Sequence, residues 1–179
     1  MTDQEILKMY REGGREEAFR LLVQTYKERL YWHIRRMVLD QDDTDDCLQN
    51  IFLKVWRSLD SFRGDAQLYT WLYRIATNES LTFLSRQQTR APYTGLDAAD
   101  RLPTDPWFDG DEVQTALHKA IAKLPPKQKA VFNLRYFEEM PYEKIAAVLE
   151  TSEGALKASY HHAYEKVKTW MKEALDAKY

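Results

Sequence analysis

The stretch from residue 87 to residue 112 constrains this chain more than any other feature, because it is where helical spacing stops. Pro92, Gly95, Pro103, Pro106 and Gly110 fall inside it, and no apolar residues there recur at intervals of three and four. On either side that spacing is continuous. The chain is therefore expected to be all-α, with helical domains at 1–86 and 113–179 joined by a flexible linker at 87–112. The linker carries Asp97, Asp100, Asp105, Asp109, Asp111 and Glu112 against Arg90 and Arg101, so it is acidic. It exceeds the usual length of a connection, which points to a role of its own.

In the first domain, Thr2 and Glu5 have capping-box spacing, and Gly13-Gly14 ends a short first helix. Phe19, Leu22, Val23, Tyr26, Leu30, Ile34 and Met37 then predict one amphipathic helix over 15–39. Asp42 and Asp43 are candidate caps for the next, whose stripe is Leu48, Ile51, Phe52, Val55 and Leu59. After a break at 60–65, Leu68, Trp71, Leu72, Ile75 and Leu81 predict a helix reaching about Ser85.

The second domain opens with Val113, Leu117, Ala120, Ile121 and Leu124 on one helix. Pro125-Pro126 stops it and starts the next, since proline suits a first helical turn; that helix runs to about Phe137. Pro141 precedes a short helix with Tyr142, Ile145, Ala146 and Leu149 inward, and Glu150-Thr151 makes a turn. Ser152 caps a long last helix with Leu156, Tyr160, Ala163, Val167 and Met171 on its inner side. A short helix, a tight turn and a second helix form a helix-turn-helix layout.

Composition narrows the class. The longest apolar run is Ile145 to Leu149, against the roughly 20 residues a membrane-spanning helix needs. The start, Met1-Thr2-Asp3-Gln4-Glu5, lacks the layout of a secretion signal, and one cysteine, Cys47, excludes a disulfide framework or a cysteine zinc site. These features predict a cytoplasmic protein. From 113 onward, eleven basic side chains face eight acidic ones, a mild excess that fits a nucleic-acid surface or ordinary solvated helix faces equally well.

Three segments carry function. If the inner stripe of the last helix faces the core, then Ser152, Glu153, Gly154, Lys157, Ala158, His161 and His162 lie on the outward N-terminal face that a recognition helix presents to the major groove. A plain three-helix bundle has the same pattern. His161 and His162 are adjacent and splay about 100° apart on a helix, so they read as surface histidines rather than joint metal ligands. Along residues 43–56, Phe52, Leu53 and Trp56 cover more than one helix face beside Gln49 and Asn50, which leaves either apolar surface for a partner or two buried faces. In residues 62–78, Phe62, Tyr69 and Tyr73 interleave with Arg63 and Arg74, a pattern that stacks unpaired bases while holding phosphates. Trp71 and Leu72 are expected inside, whereas Tyr69, Tyr73 and Arg74 are free to face outward.

Taken in order, these strings resemble the extracytoplasmic-function (ECF) group of the sigma-70 family, over residues 16–170. The matching pieces are Asp45-Asp46 with Gln49 and Phe52-Leu53-Lys54-Val55-Trp56, then Phe62-Arg63-Gly64 with Thr70-Trp71-Leu72-Tyr73-Arg74-Ile75-Ala76-Thr77-Asn78. Leu124-Pro125-Pro126-Lys127-Gln128 and Tyr142-Glu143-Lys144-Ile145-Ala146 match the C-terminal half.

The resemblance implies a sigma factor that binds core RNA polymerase and directs promoter-specific initiation, with domain 2 at 1–86 and domain 4 at 113–179. It implies that Asp45, Asp46, Gln49, Asn50, Phe52, Leu53 and Trp56 meet the β′ clamp helices, with the β flap a further contact. Phe62, Arg63, Gly64, Asp65, Tyr69, Tyr73, Arg74 and Asn78 would melt and read the −10 element, a flipped base entering the loop near Gly64. The outward set on the last helix would read the −35 element. The linker would thread the polymerase interior, and an anti-sigma factor, membrane-linked, would hold the protein in reserve. No catalytic residue, metal, cofactor or small-molecule substrate is expected. The chain departs from the family pattern at Asn50, where an acid is common, and at Ser159 and His162, where arginine is common. The rival reading is a free-standing helix-turn-helix regulator that binds duplex DNA without polymerase.

Overall fold

The computed structural model describes residues 1–90 and 110–177. Residues 91–109, the greater part of the expected linker, lie outside the described residues. All regular structure among the described residues is helical: α1 (Asp3–Arg11), α2 (Arg15–Val38), α3 (Gln41–Ser58), a 3₁₀ turn (Leu59–Ser61), α4 (Leu68–Arg90), α5 (Glu112–Ala122), α6 (Pro126–Tyr136), α7 (Tyr142–Leu149) and α8 (Glu153–Asp176).

Local signals set most of these bounds. Thr2 and Glu5 close the capping box on α1, and Gly13, at φ 99°, provides the left-handed residue after it. Pro126 starts α6, and the Ser152 hydroxyl accepts from the Ala155 N–H at the head of α8. Two expectations need correction. The cap of α3 is Asp40, not Asp42 or Asp43: its carboxylate accepts from the Asp43 N–H at 3.0 Å, so the helix starts at Gln41 and takes both aspartates into its first turn. The last helix of the N-terminal half also runs to Arg90, past Ser85, because no helix breaker occurs before Pro92.

Two apolar cores form. Ala120, Ile121, Leu124 and Phe132 meet Ala163 and Val167 in the smaller one, which belongs to the C-terminal half. The larger crosses the expected domain boundary. Leu22, Leu30, Met37, Ile51, Val55, Leu72 and Ala76 share it with Ala130, Leu134, Met140, Ile145 and Val148. Helix α6 is the reason: residues 129–134 are all buried, so it has no solvent face along that stretch. Phe132 fills the smaller core while Ala130, Val131 and Leu134 fill the larger.

The seam between the halves contains polar groups as well. Lys129 Nζ donates to the Met37 carbonyl at 3.3 Å, and Asn133 Nδ2 to the Met37 sulfur at 3.7 Å. Arg36 lies 4.0 Å over the Phe137 ring. Asn133 Oδ1 and Arg36 Nε are buried without a hydrogen-bond partner, which costs free energy that a dry apolar seam would not.

Candidate polymerase and promoter interfaces

The first candidate surface lies on α3. Its buried stripe (Cys47, Leu48, Ile51 and Val55) leaves Asp45, Asp46, Gln49, Asn50 and Leu53 outward and exposed. Leu53 is 48% exposed, unusual for a large aliphatic side chain in a packed helix. Phe52 and Trp56 are only half free. Both pack edge-on against Phe19, at 6.5 and 5.0 Å between ring centroids, and the Arg15 guanidinium covers Trp56 at 4.4 Å. Lys54 pairs with Glu79 and ties α3 to α4. Partial burial, and then the neighbouring Asp40, Asp46 and Asp42, push the Asp43 carboxyl above its ordinary value.

The second surface is the 62–67 loop with the first turns of α4. Gly64, at φ 82°, makes the turn, and Arg63, Gly64 and Asp65 are exposed at its tip. Phe62 rests on Trp71 at 4.9 Å, so Trp71, expected inside, is only half-buried. Tyr69 packs against Tyr73 at 4.8 Å, the rings tilted by 49°, beneath the Arg29 guanidinium, which is 5.0 Å from the Tyr69 ring. Asn78 is exposed.

Tyr73 and Arg74 are engaged by the C-terminal half. Tyr73, expected to be free to face outward, is fully buried. Its hydroxyl donates to Glu138 Oε2 at 2.8 Å, and burial followed by the Glu138 carboxylate holds its proton well above the ordinary range. Arg74 donates through Nε and Nη2 to the Ala147 carbonyl at 3.0 and 2.7 Å, near the C-terminus of α7, where a cation is favoured. Beside them, His33 Nε2 lies 2.8 Å from Thr77 Oγ1 in the core, and its Nδ1 has no partner. Burial lowers this imidazole to about 3, which keeps it neutral.

The third surface is the outer side of α8. Leu156, Ala163 and Val167 face inward, whereas Ser152, Glu153, Gly154, Lys157, Ala158, His161 and His162 are all exposed. The His161 and His162 ring centroids are 6.0 Å apart. Lys157 lies 5.8 Å from the Tyr142 ring, which steadies its stem while leaving the ammonium in solvent.

Sequence reasoning missed the residues that join the halves: Glu138, Lys129, Asn133 and Arg29. One signal was available. Ala130, Val131 and Phe132, followed after Asn133 by Leu134, cover more than one helix face, so α6 needed partners on two sides.

Comparison with known proteins identifies the family. Residues 22–90 match the description "Sigma-70 region 2" and residues 114–167 match "Sigma-70, region 4". RNA polymerase sigma-H factor of Pseudomonas aeruginosa is 32% identical over 181 residues, spanning 92% of this chain and 91% of that protein. ECF RNA polymerase sigma-E factor of Escherichia coli K12 is 31% identical over 179 residues, covering 93% of each. Among solved structures, CnrH in complex with the cytosolic domain of CnrY shares the fold at a TM-score of 0.72 and 24% identity, over 96% of this chain and 97% of that one. The sigma factor RpoE of Bartonella quintana, in complex with the anti-sigma factor NepR, does so at 0.67 and 21%, over 86% and 96%. With both halves matched in order and relatives above 30% identity along almost the whole length, this chain belongs to the sigma-70 family as an ECF sigma factor.

Proposed function

We propose that the three exposed surfaces divide the work of initiation among themselves, the N-terminal half serving as domain 2 and the C-terminal half as domain 4. The α3 stripe of Asp45, Asp46, Gln49, Asn50 and Leu53, with Phe52 and Trp56 beneath it, docks on the β′ clamp helices of core RNA polymerase, and the C-terminal half meets the β flap. The 62–67 loop with Tyr69, Tyr73, Arg74 and Asn78 melts and reads the −10 element. The outward face of α8 reads the −35 element, and the acidic connector at 87–112 runs through the basic interior of the polymerase. Bond making in RNA synthesis belongs to the polymerase, and this chain contributes no catalytic group. It acts in the cytoplasm at the nucleoid, held at the inner membrane by an anti-sigma factor between stimuli. Among the described residues, no helix is long and apolar enough to cross a membrane.

The observation that carries this reading is Leu53, a large aliphatic side chain left 48% exposed within a ring of acidic and amide groups. A closed arrangement cannot read a whole promoter. The two elements lie roughly 25 base pairs apart, or about 85 Å at 3.4 Å per pair, whereas α4 and α7 are in contact here. The halves must separate on the polymerase. Separation frees Tyr73 and Arg74 for single-stranded DNA and turns the second promoter contact into an intramolecular event.

The test is DNA binding by the full chain, with and without core polymerase, on one promoter fragment. Alone, the chain should bind weakly and with strong salt dependence, in the ~10⁻⁴–10⁻⁶ M range of non-specific association. With core, binding should become tight and sequence-specific, and Lys157→Ala with His161→Ala should reduce initiation without reducing core capture. Tight specific binding by the free chain, unchanged by core, would favour the free-standing regulator instead.

A further inference from the structure

A cleft of about 910 Å³ separates the 62–69 loop from α1, and half of its wall is formed by residues that the three surfaces above do not use. Phe62, Gly64, Asp65, Gln67 and Tyr69 line the loop side; Gln4, Lys8 and Arg11 line the opposite side. We propose that α1 is the second wall of a site for a nucleotide of single-stranded DNA. Lys8 and Arg11 take a backbone phosphate, and Gln4 reads the edge of a base lying against the loop. This inference rests on the proposed role of the 62–67 loop in promoter melting and extends it to a helix with no assigned role.

The arrangement of charge orients the ligand. Each wall carries one carboxylate, Asp65 on the loop and Asp3 on α1, but only α1 adds two cations, so the phosphate belongs on the α1 side and the base on the loop side. The Asp3 and Glu5 carboxylates of α1 are held by partners other than its two cations. Asp3 accepts from the Tyr26 hydroxyl at 2.6 Å, and Glu5 is turned back into the capping box with Thr2. Glu12 reaches Lys8 only at 4.0 Å with both side chains largely in solvent, an ion pair of little strength.

The wall is also rigid. Ile6, 1% exposed, anchors α1 in the larger core, and the Tyr26–Asp3 bond fixes its first turn on α2. The volume lies in the range of about 300–1,000 Å³ typical of clefts for small ligands, which suits one or two nucleotides and is far too small for a duplex. Aromatic rings, amides and paired cations around such a space are the features that hold unpaired bases. Lys144 of α7 bonds Gln67 at the edge of the cleft, so closure of the halves ties up one lining residue and leaves the α1 wall open.

The experiment uses the full chain with core polymerase and a fork-junction promoter whose non-template −10 strand is unpaired. Two phosphate contacts to a single strand contribute about 0.7 each to the salt slope, so Lys8→Ala with Arg11→Ala should make the slope shallower by about 1.4. Binding should then be about 25-fold weaker than wild type at 0.1 M salt and converge with it toward 1 M. Lys8→Arg with Arg11→Lys should restore the wild-type slope, and Gln4→Ala should alter base preference at one fork position. All three side chains are exposed, and equal melting temperatures and equal core capture verify the fold. A double variant with wild-type affinity and slope, on a wild-type holoenzyme that binds the fork tightly, overturns the α1 wall and leaves the sigma reading standing. A wild-type holoenzyme indifferent to the fork overturns both. Displacement of the fork by millimolar nucleoside monophosphate at the α1 wall would show a site for free nucleotides and overturn the strand assignment.

Discussion

The Tyr73 hydroxyl donates to the Glu138 carboxylate across 2.8 Å, joining α4 to the turn ahead of the helix-turn-helix. The same carboxylate lies 3.9 Å from Arg29, a cation beside the tilted Tyr69–Tyr73 pair. A carboxylate of the C-terminal half thus sits among tyrosines and an arginine of the N-terminal half.

Replacing Glu138 with Ala should loosen the closed arrangement. A hydrogen bond to a charged group contributes about 1.5–3 kcal/mol, and its loss leaves the buried Tyr73 hydroxyl unpaired. Hydrogen exchange should quicken in α4 and α7 while α8 keeps its protection, and association with core polymerase should not weaken. Unchanged exchange in α4 would show that the apolar seam holds the halves without this bond.

Leu53→Ala is the cleanest probe of the proposed polymerase surface. Because Leu53 is half in solvent, its removal should shift the urea midpoint little, while core binding weakens by about 1–4 kcal/mol if it is an anchor. Trp56→Ala should weaken core binding too, but it also removes contacts to Phe19 and Arg15 and therefore lowers stability. Pull-down of core by each variant, beside its melting temperature, separates the two effects.

Stability should fall on mild acidification. Burial, then Arg36, lowers His33 to about 3 and His118 to about 4, against 6.5 unfolded. Below 6.5 the unfolded chain therefore takes up protons that the folded chain refuses, and folding stability falls by about 1.4 kcal/mol per pH unit per proton. The loss levels off once the pH has passed the folded values, and above 6.5 neither histidine contributes a slope. His33→Gln should reduce the slope of the urea midpoint between pH 4 and 6.5 by about half. Lys129 follows the same sense at higher pH: burial lowers it to about 8 from 10.5, so stability should rise across that interval.

The turn of the helix-turn-helix contains avoidable strain. Glu150 caps α7 in the left-handed region, at φ 52° and ψ 47°, where a side chain is disfavoured and glycine is not. Glu150→Gly should raise stability by about 0.5–1 kcal/mol, visible as a higher melting temperature, without altering core capture.

Much of this protein was legible in its sequence because the signals are local. The 3.6-residue period marks the helices with one apolar stripe, Thr2, Ser152 and Pro126 mark helix starts, and the proline-rich acidic stretch marks where the halves divide. The outward face of α8 follows from the same period: once Leu156, Ala163 and Val167 turn inward, Lys157, His161 and His162 must turn out. Asp40 is the local exception, because Asp42 and Asp43 cap equally well on paper.

Only the tertiary structure decided what α4 and α6 touch. Tyr73 and Glu138, Arg74 and Ala147, and Lys129 and Met37 are separated by 65, 73 and 92 positions, and no helical period relates residues so far apart. Lys129, Asn133, Arg74 and Glu138 are polar and read as surface by composition; they are drawn inward because each finds a partner on the other half. Val113 shows the reverse, apolar and in phase with its helix yet 52% exposed, since the first turn of α5 extends past the core it was expected to join. Helical period and caps specify which side of each helix is apolar, while the burial of polar groups depends on which helix arrives opposite, a property of the folded chain as a whole.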